Sequence, residues 1–404
     1  MTTAVVFTGL GVTAPGGLGA ERFWKSALTG RSGIAEVAGL DTPGFGSRLA
    51  GQVSDFVPEE HLPGRLLVQT DRSTQLALVA AAWALEDGRV DTSQMADYDM
   101  GVVTSNALGG FDFTHREFRK LWSQGPKYVS VYESFAWFYA VNTGQVSIRH
   151  GLRGPGAALV GEQAGGLDAL GHARRVVRRG TPLVVGGGVD SALDPWGYAA
   201  QLSHGLTSLE TDPARAYLPF DRAADGYVPG EGGAMLVMED AERARRRGAP
   251  VYGELAGYAA TFDPAPGSGL PPALGHAARL ALADAGVRPD EVDAVFADAA
   301  GVPELDRAEA EMIRDLFGPR GVPVTAVKPL TGRLYSGGGP LDAVCALLAL
   351  RDGVLPPTAQ TADVPDEYQL DVVLEQPREL ALRTVLLLAR GHRGFNAAVV
   401  LRVA

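Results

Sequence analysis

The feature that most constrains this chain is an alternation that it runs through twice. Short β-branched runs at residues 5–8, 101–104, 157–160 and 183–185 alternate with Ala/Leu-rich amphipathic stretches at 75–86, 167–179 and 240–247. Runs of that length read as buried strands, and the stretches between them as helices that cover the sheet, so the pattern predicts an α/β protein. After Arg247-Gly248-Ala249-Pro250 the alternation resumes, with strands expected at 251–255, 294–297 and 322–327 and a helix at 272–285. The expected organisation is two α/β halves, 1–250 and 251–404. With 404 residues, 46% of them hydrophobic, the chain is long enough to bury a large core.

Composition narrows the chemistry. The formal charge is −11 with Lys and Arg spread along the chain, so no basic footprint for nucleic acid or an anionic membrane is present. The single cysteine, Cys345, lies in the apolar run 341–348. One cysteine excludes an internal disulfide and a cysteine-based zinc site, and this one reads as a small hydrophobe in a packed helix. The opening residues 1–8 lack a basic region followed by a long apolar stretch, and no segment reaches the roughly 18 apolar residues of a membrane span. A cytoplasmic protein is expected. The seven histidines are scattered, and neither Gly-x-Ser-x-Gly nor a phosphate loop occurs, so no metal and no cofactor are expected.

Gly9-Leu10-Gly11-Val12-Thr13-Ala14 formally matches a dinucleotide fingerprint after a strand. Pro15-Gly16-Gly17 interrupts the position where the phosphate-binding helix should run, so the segment is read as a tight strand-to-loop turn. A stronger signal lies at 157–170, which passes from strand through small residues into a helix, the layout that exposes one side chain at a helix N-terminus. Gln163 stands at that apex, and an amide can donate and accept hydrogen bonds but cannot form an acyl intermediate.

Three segments carry a family resemblance: Pro219-Phe220-Asp221-Arg222 through Gly230-Glu231-Gly232-Gly233-Ala234, Gly186-Gly187-Gly188-Val189-Asp190, and the opening Thr8-Gly9-Leu10-Gly11. On these the chain resembles, essentially end to end, the ketosynthases of the thiolase fold. The resemblance implies two similar halves stacked in five alternating α-β-α-β-α layers. Ketosynthases use a Cys at the elbow, two His and a Lys; here Gln163 matches the Cys, Asp298 the first His and Arg333 the second, and only Lys328 is kept. A glycine- and phenylalanine-rich loop matches at Gly391-His392-Arg393-Gly394-Phe395-Asn396. This set of losses is similar to the chain-length factors, the ketosynthase beta subunits of bacterial type II aromatic polyketide synthases of the octaketide, actinorhodin-like kind.

The resemblance implies a non-condensing subunit that pairs with a Cys-bearing ketosynthase alpha subunit in a heterodimer and works on malonyl units carried by an acyl carrier protein. Asp298 and Arg333 are expected to pair across the vacated site. Gln163 either assists malonyl decarboxylation or merely fills and hydrogen-bonds the former site; a purely structural scaffold is the remaining alternative. The malonyl-derived chain would extend into a tunnel walled by Phe111, Thr114 and Phe118, whose i, i+3, i+7 spacing puts them on one helix face, and by Trp196. Two phenylalanines at its end imply an octaketide rather than a longer product. The first three of these residues fall in an aromatic insertion at about 109–146, whose segment 129–140 is expected to pack on the partner. Two arginine groups, Arg174, Arg175, Arg178, Arg179 and Arg243, Arg245, Arg246, Arg247, are read as solvated helix faces rather than a carrier-protein surface.

Overall fold

The computed structural model describes residues 3–40, 44–265 and 267–404; Met1 and Thr2 of the opening segment lie outside the described residues. Five strands of the first half, Val5–Ala14, Met100–Ser105, Gly156–Leu159, Leu183–Asp190 and Gly232–Asp240, lie in the spatial order third, second, fourth, fifth, first. In the second half Gly253–Phe262, Ala294–Phe296, Pro323–Thr325, Thr384–Arg390 and Phe395–Arg402 repeat that order, with the short strand Asp371–Val372 added outside the third. In both, the second strand runs parallel to the third and fourth, and the fifth runs antiparallel to its two neighbours. The two runs meet where Val6 pairs with Glu254 and Phe7 with Gly253.

Three apolar cores separate the layers. Helix Arg72–Asp87 covers the outer face of the first sheet. Helices Leu274–Ala285 and Pro303–Phe317 cover the outer face of the second. Between the sheets lie helices Glu162–Arg178 and Gly338–Asp352, in one core with both. The architecture is therefore five alternating α-β-α-β-α layers. Helix Gly338–Asp352 is buried from Gly338 to Leu350, which its nearly uninterrupted small and apolar sequence allows. Cys345 sits there with its thiol pushed up by burial, a packing group.

The structure corrects several expectations. Gly9 and Gly11 form no turn, because strand Val5–Ala14 runs straight through them. A Cβ on either would meet the carbonyl oxygen of Ala84 at 2.0 Å or of Ala80 at 1.9 Å, so these glycines let helix Arg72–Asp87 lie directly on the strand. The run at 157–160 is not a buried strand: Gly156–Leu159 is the terminal strand of its sheet, only partly covered, and Val160 after it is exposed. Arg174 is not on a solvated face; it is buried, donates to the Ala256 carbonyl and pairs with Asp284 of helix Leu274–Ala285. Its neighbours Arg175 and Arg179 are exposed. Strand 251–255 starts two residues later and extends to Phe262.

Among the described residues no helix is long and apolar enough to cross a membrane.

Candidate functional site

The vacated elbow is built by strand Gly156–Leu159 and the helix that follows it through Gly161. Glu162, the first helical residue, has φ 52°, the left-handed region that costs a non-glycine residue about 1–2 kcal/mol. Past this kink Gln163 is fully buried, and neither its Oε1 nor its Nε2 has a hydrogen-bond partner. The amide lies over Gly338, where a Cβ would stand 2.4 Å from Nε2. Among the described residues, then, no protein atom accepts from or donates to the Gln163 side-chain amide.

Around it runs a chain of charges. Arg333 Nη1 stands 3.5 Å from Asp298 Oδ2, and Arg333 Nε donates to Glu162 Oε1 at 3.2 Å. The guanidinium also donates to the Arg390 carbonyl and lies 5.4 Å from the centre of the Tyr227 ring. Burial works against the charge on Arg333, yet Asp298 and Glu162 outweigh it and hold its pKa well above the usual value. Glu162 uses its second oxygen to accept from His392 N at 2.8 Å, which ties the glycine-rich C-terminal loop to the elbow. Asp298 accepts from Arg390 N at 2.9 Å. Lys328, buried, donates to Asp342 at 2.5 Å and to the Ala297 carbonyl at 2.8 Å. Burial pushes Asp342 up to about 6 against the pull of Lys328.

A cavity of about 1010 Å³ opens above this network, lined among others by Glu162, Tyr227, Phe262, Leu305, Arg333 and His392. Gln163 is not part of its lining; the Glu162–Arg333 pair forms that floor instead. A nucleophile would have to be reachable from the cavity, and here Glu162 and Arg333 line it while Gln163 does not. Glu162 was missed by sequence reasoning. Its signal was only its place beside Gln163, because positive φ and a partner 171 residues away are tertiary facts.

The four wall candidates come together. Phe111, Thr114 and Phe118 lie on helix Phe111–Gln124, and Trp196 on the first turn of helix Pro195–Leu202. The Trp196 ring stands 5.0 Å from that of Phe111 and 6.0 Å from that of Phe118. Phe111, Thr114 and Trp196, with Leu108, Gly110 and Trp137, line a second cavity of about 190 Å³; Phe118 stays outside its lining. Trp137 of the cavity lining and Trp122, packed on Phe118, are exposed, and so are Tyr128 and Val131 of the same insertion. Among the described residues no group of three or more His, Cys, Asp or Glu is placed to hold a metal ion.

The model of the beta-ketoacyl synthase N-terminal domain matches residues 2–244, and that of the beta-ketoacyl synthase C-terminal domain matches 252–362. The chain belongs to the beta-ketoacyl synthase family, with the thiolase-like fold that its layers display. An actinorhodin polyketide beta-ketoacyl synthase 2 of Streptomyces coelicolor is 65% identical over 99% of this chain and 98% of its own. Among solved structures, the ishigamide ketosynthase/chain length factor aligns over 100% of both chains with TM-score 0.91 and 27% identity. A type II acyl-carrier protein in complex with its ketosynthase bound to the hexaketide aligns over 100% of both with TM-score 0.89 and 26% identity. Within the family, then, this is a beta-ketoacyl synthase 2, the chain-length-factor partner in a type II polyketide synthase for aromatic polyketides.

Proposed function

We propose that this chain condenses nothing itself and that it sets product length by walling a chamber shared with a Cys-bearing ketosynthase alpha subunit. The observation that carries this reading is the elbow: Gln163 is fully buried and absent from the large cavity, which Glu162 and Arg333 line instead, while the aromatic cavity keeps Trp137 and Trp196 exposed. In this reading residues 1–250 and 251–404 are two halves of one scaffold, and the insertion at 109–146 together with strand Gly156–Leu159 faces the partner. A terminal strand with one free edge and an insertion with exposed rings suit such a surface. The growing malonyl-derived chain enters from the partner's cysteine and stops against Phe111, Thr114, Phe118 and Trp196. Phe111 and Trp196 in a small cavity, with Phe118 packed against Trp196 from outside it, favour a short product, an octaketide. Asp298, Lys328 and Arg333 are structural ions: Arg333 is balanced by Asp298 and Glu162, and Lys328 by Asp342.

The test incubates malonyl-loaded acyl carrier protein with this chain alone, with the ketosynthase alone and with both, and weighs the products by mass spectrometry. Octaketide from the pair only is the expected result. Polyketide from this chain alone would overturn the reading of the elbow.

A further inference from the structure

The wall of the small cavity is made by two helices that the sequence places 70 and more residues apart, and one hydrogen bond joins them at the wall itself. His115 Nδ1 and Asp194 Oδ2 are 2.7 Å apart. Asp194 is the N-cap of helix Pro195–Leu202. Its Oδ2 also accepts from Trp196 N at 3.0 Å, and its Oδ1 from Gly197 N at 3.3 Å. One carboxylate, 5% exposed, thus holds the first turn that carries Trp196 and a side chain of the helix that carries Phe111, Thr114 and Phe118.

The need for such a tie follows from the burial. The Trp196 side chain is the least enclosed of the four wall groups, at 43% exposed. The rest of its helix is anchored farther along, where Tyr198 Oη donates to the Ser47 and Leu49 carbonyls and Gln201 donates to that of Ala192. The first turn has the Asp194 carboxylate instead. A half-exposed ring stops a growing chain sharply only if its backbone and rotamer are fixed, because each alternative rotamer opens a different depth. His115 lies at i+4 from Phe111 and i−3 from Phe118, so its ring, 6.4 Å from that of Trp196, completes the same face.

We propose that His115 and Asp194 are positioning residues that lock Trp196 against the chamber and thereby make the product length narrow. The proposal rests on the chain-length reading of the cavity.

The experiment uses the heterodimer with its Cys-bearing ketosynthase and malonyl-loaded carrier protein, and reads by mass spectrometry the ratio of longer to native-length product in each reaction. His115→Phe keeps a ring and loses the donor, whereas His115→Asn puts an amide N–H near where Nδ1 stands. His115→Phe should raise the ratio by roughly tenfold, the population change that accompanies loss of one hydrogen bond to a charged group. His115→Asn should return it toward the native value. An unchanged ratio in His115→Phe overturns the proposal, and so does equal broadening in the two variants, which would assign the effect to ring packing. If His115→Phe does not assemble, Asp194→Asn decides: it keeps one cap acceptor but removes the charge, and a ratio at the native value sinks the idea. Phe118→Ala run in parallel separates the two layers of argument. Lengthening in Phe118→Ala with a silent His115→Phe removes only the positioning pair; silence in both removes the chamber.

Discussion

Gln163 is the residue on which the reading of this protein turns. A buried amide with no partner on either atom costs about 1–3 kcal/mol relative to a satisfied one, and the fold bears that cost beside a strained Glu162. Leucine has nearly the same volume and no polar atom. Gln163→Leu should therefore raise stability by about 1–2 kcal/mol, read by thermal or urea unfolding, and leave product length as it was. Loss of product in a stable Gln163→Leu heterodimer would instead assign the amide a chemical part. The sequence showed that the nucleophile is missing, because a residue type is read directly. It did not show that Gln163 finds no hydrogen-bond partner among the described residues, because that depends on what packs around it, Gly338 among them, from far along the chain.

At the scale of elements, periodicity located most strands and helices, and mistook those whose environment differs from their composition. Gly9-Leu10-Gly11 looked like a turn because glycine usually marks one, yet here it marks a helix lying on a strand. Gly11→Ala places a methyl 1.9 Å from the Ala80 carbonyl oxygen, a clash with backbone that no rotamer relieves. It should cost about 3 kcal/mol or more, or leave the chain insoluble; a melting temperature within about 1 °C of the parent, a shift worth only about 1 kcal/mol in a chain this size, would refute the packing argument. Strand Gly156–Leu159 has the same small apolar composition as a buried strand but lies at the end of the order, and order is not written in any local pattern. The helix of Phe111, Thr114 and Phe118 was legible because three positions on one face suffice to predict it. Its tie to Asp194 was not.

For the whole molecule, burial of carboxyls gives a pH dependence whose sign can be worked out. Burial pushes Asp71 and Asp190 up to about 7 and Asp306 up to about 8, against the backbone N–H groups that each accepts from. The same groups ionise near 3.8 in the unfolded chain, so up to their folded values the native state holds protons that the unfolded state has released. Stability from these groups is therefore lost as pH rises. His150 acts in the opposite sense: burial lowers it from 6.5 to about 4, so it contributes stability as pH rises between those values. Above 6.5 its effect is complete and the carboxyls dominate. The melting temperature should fall between pH 6.5 and about 8.5 at fixed ionic strength, and a flat or rising profile would show that these carboxyls are ionised in the fold.

The sequence by itself determined the α/β class, the doubled alternation, the glutamine at position 163 and the helix face that bears Phe111, Thr114 and Phe118. Each of these is carried by residue type or by spacing within one element, and short-range physics reads both. Only the tertiary structure decided that Gln163 is fully buried, that Arg333 answers to Glu162 as well as Asp298, that Arg174 is buried rather than solvated, and that His115 meets Asp194. These facts join residues far apart in the chain, and no local preference encodes which distant side chain will arrive.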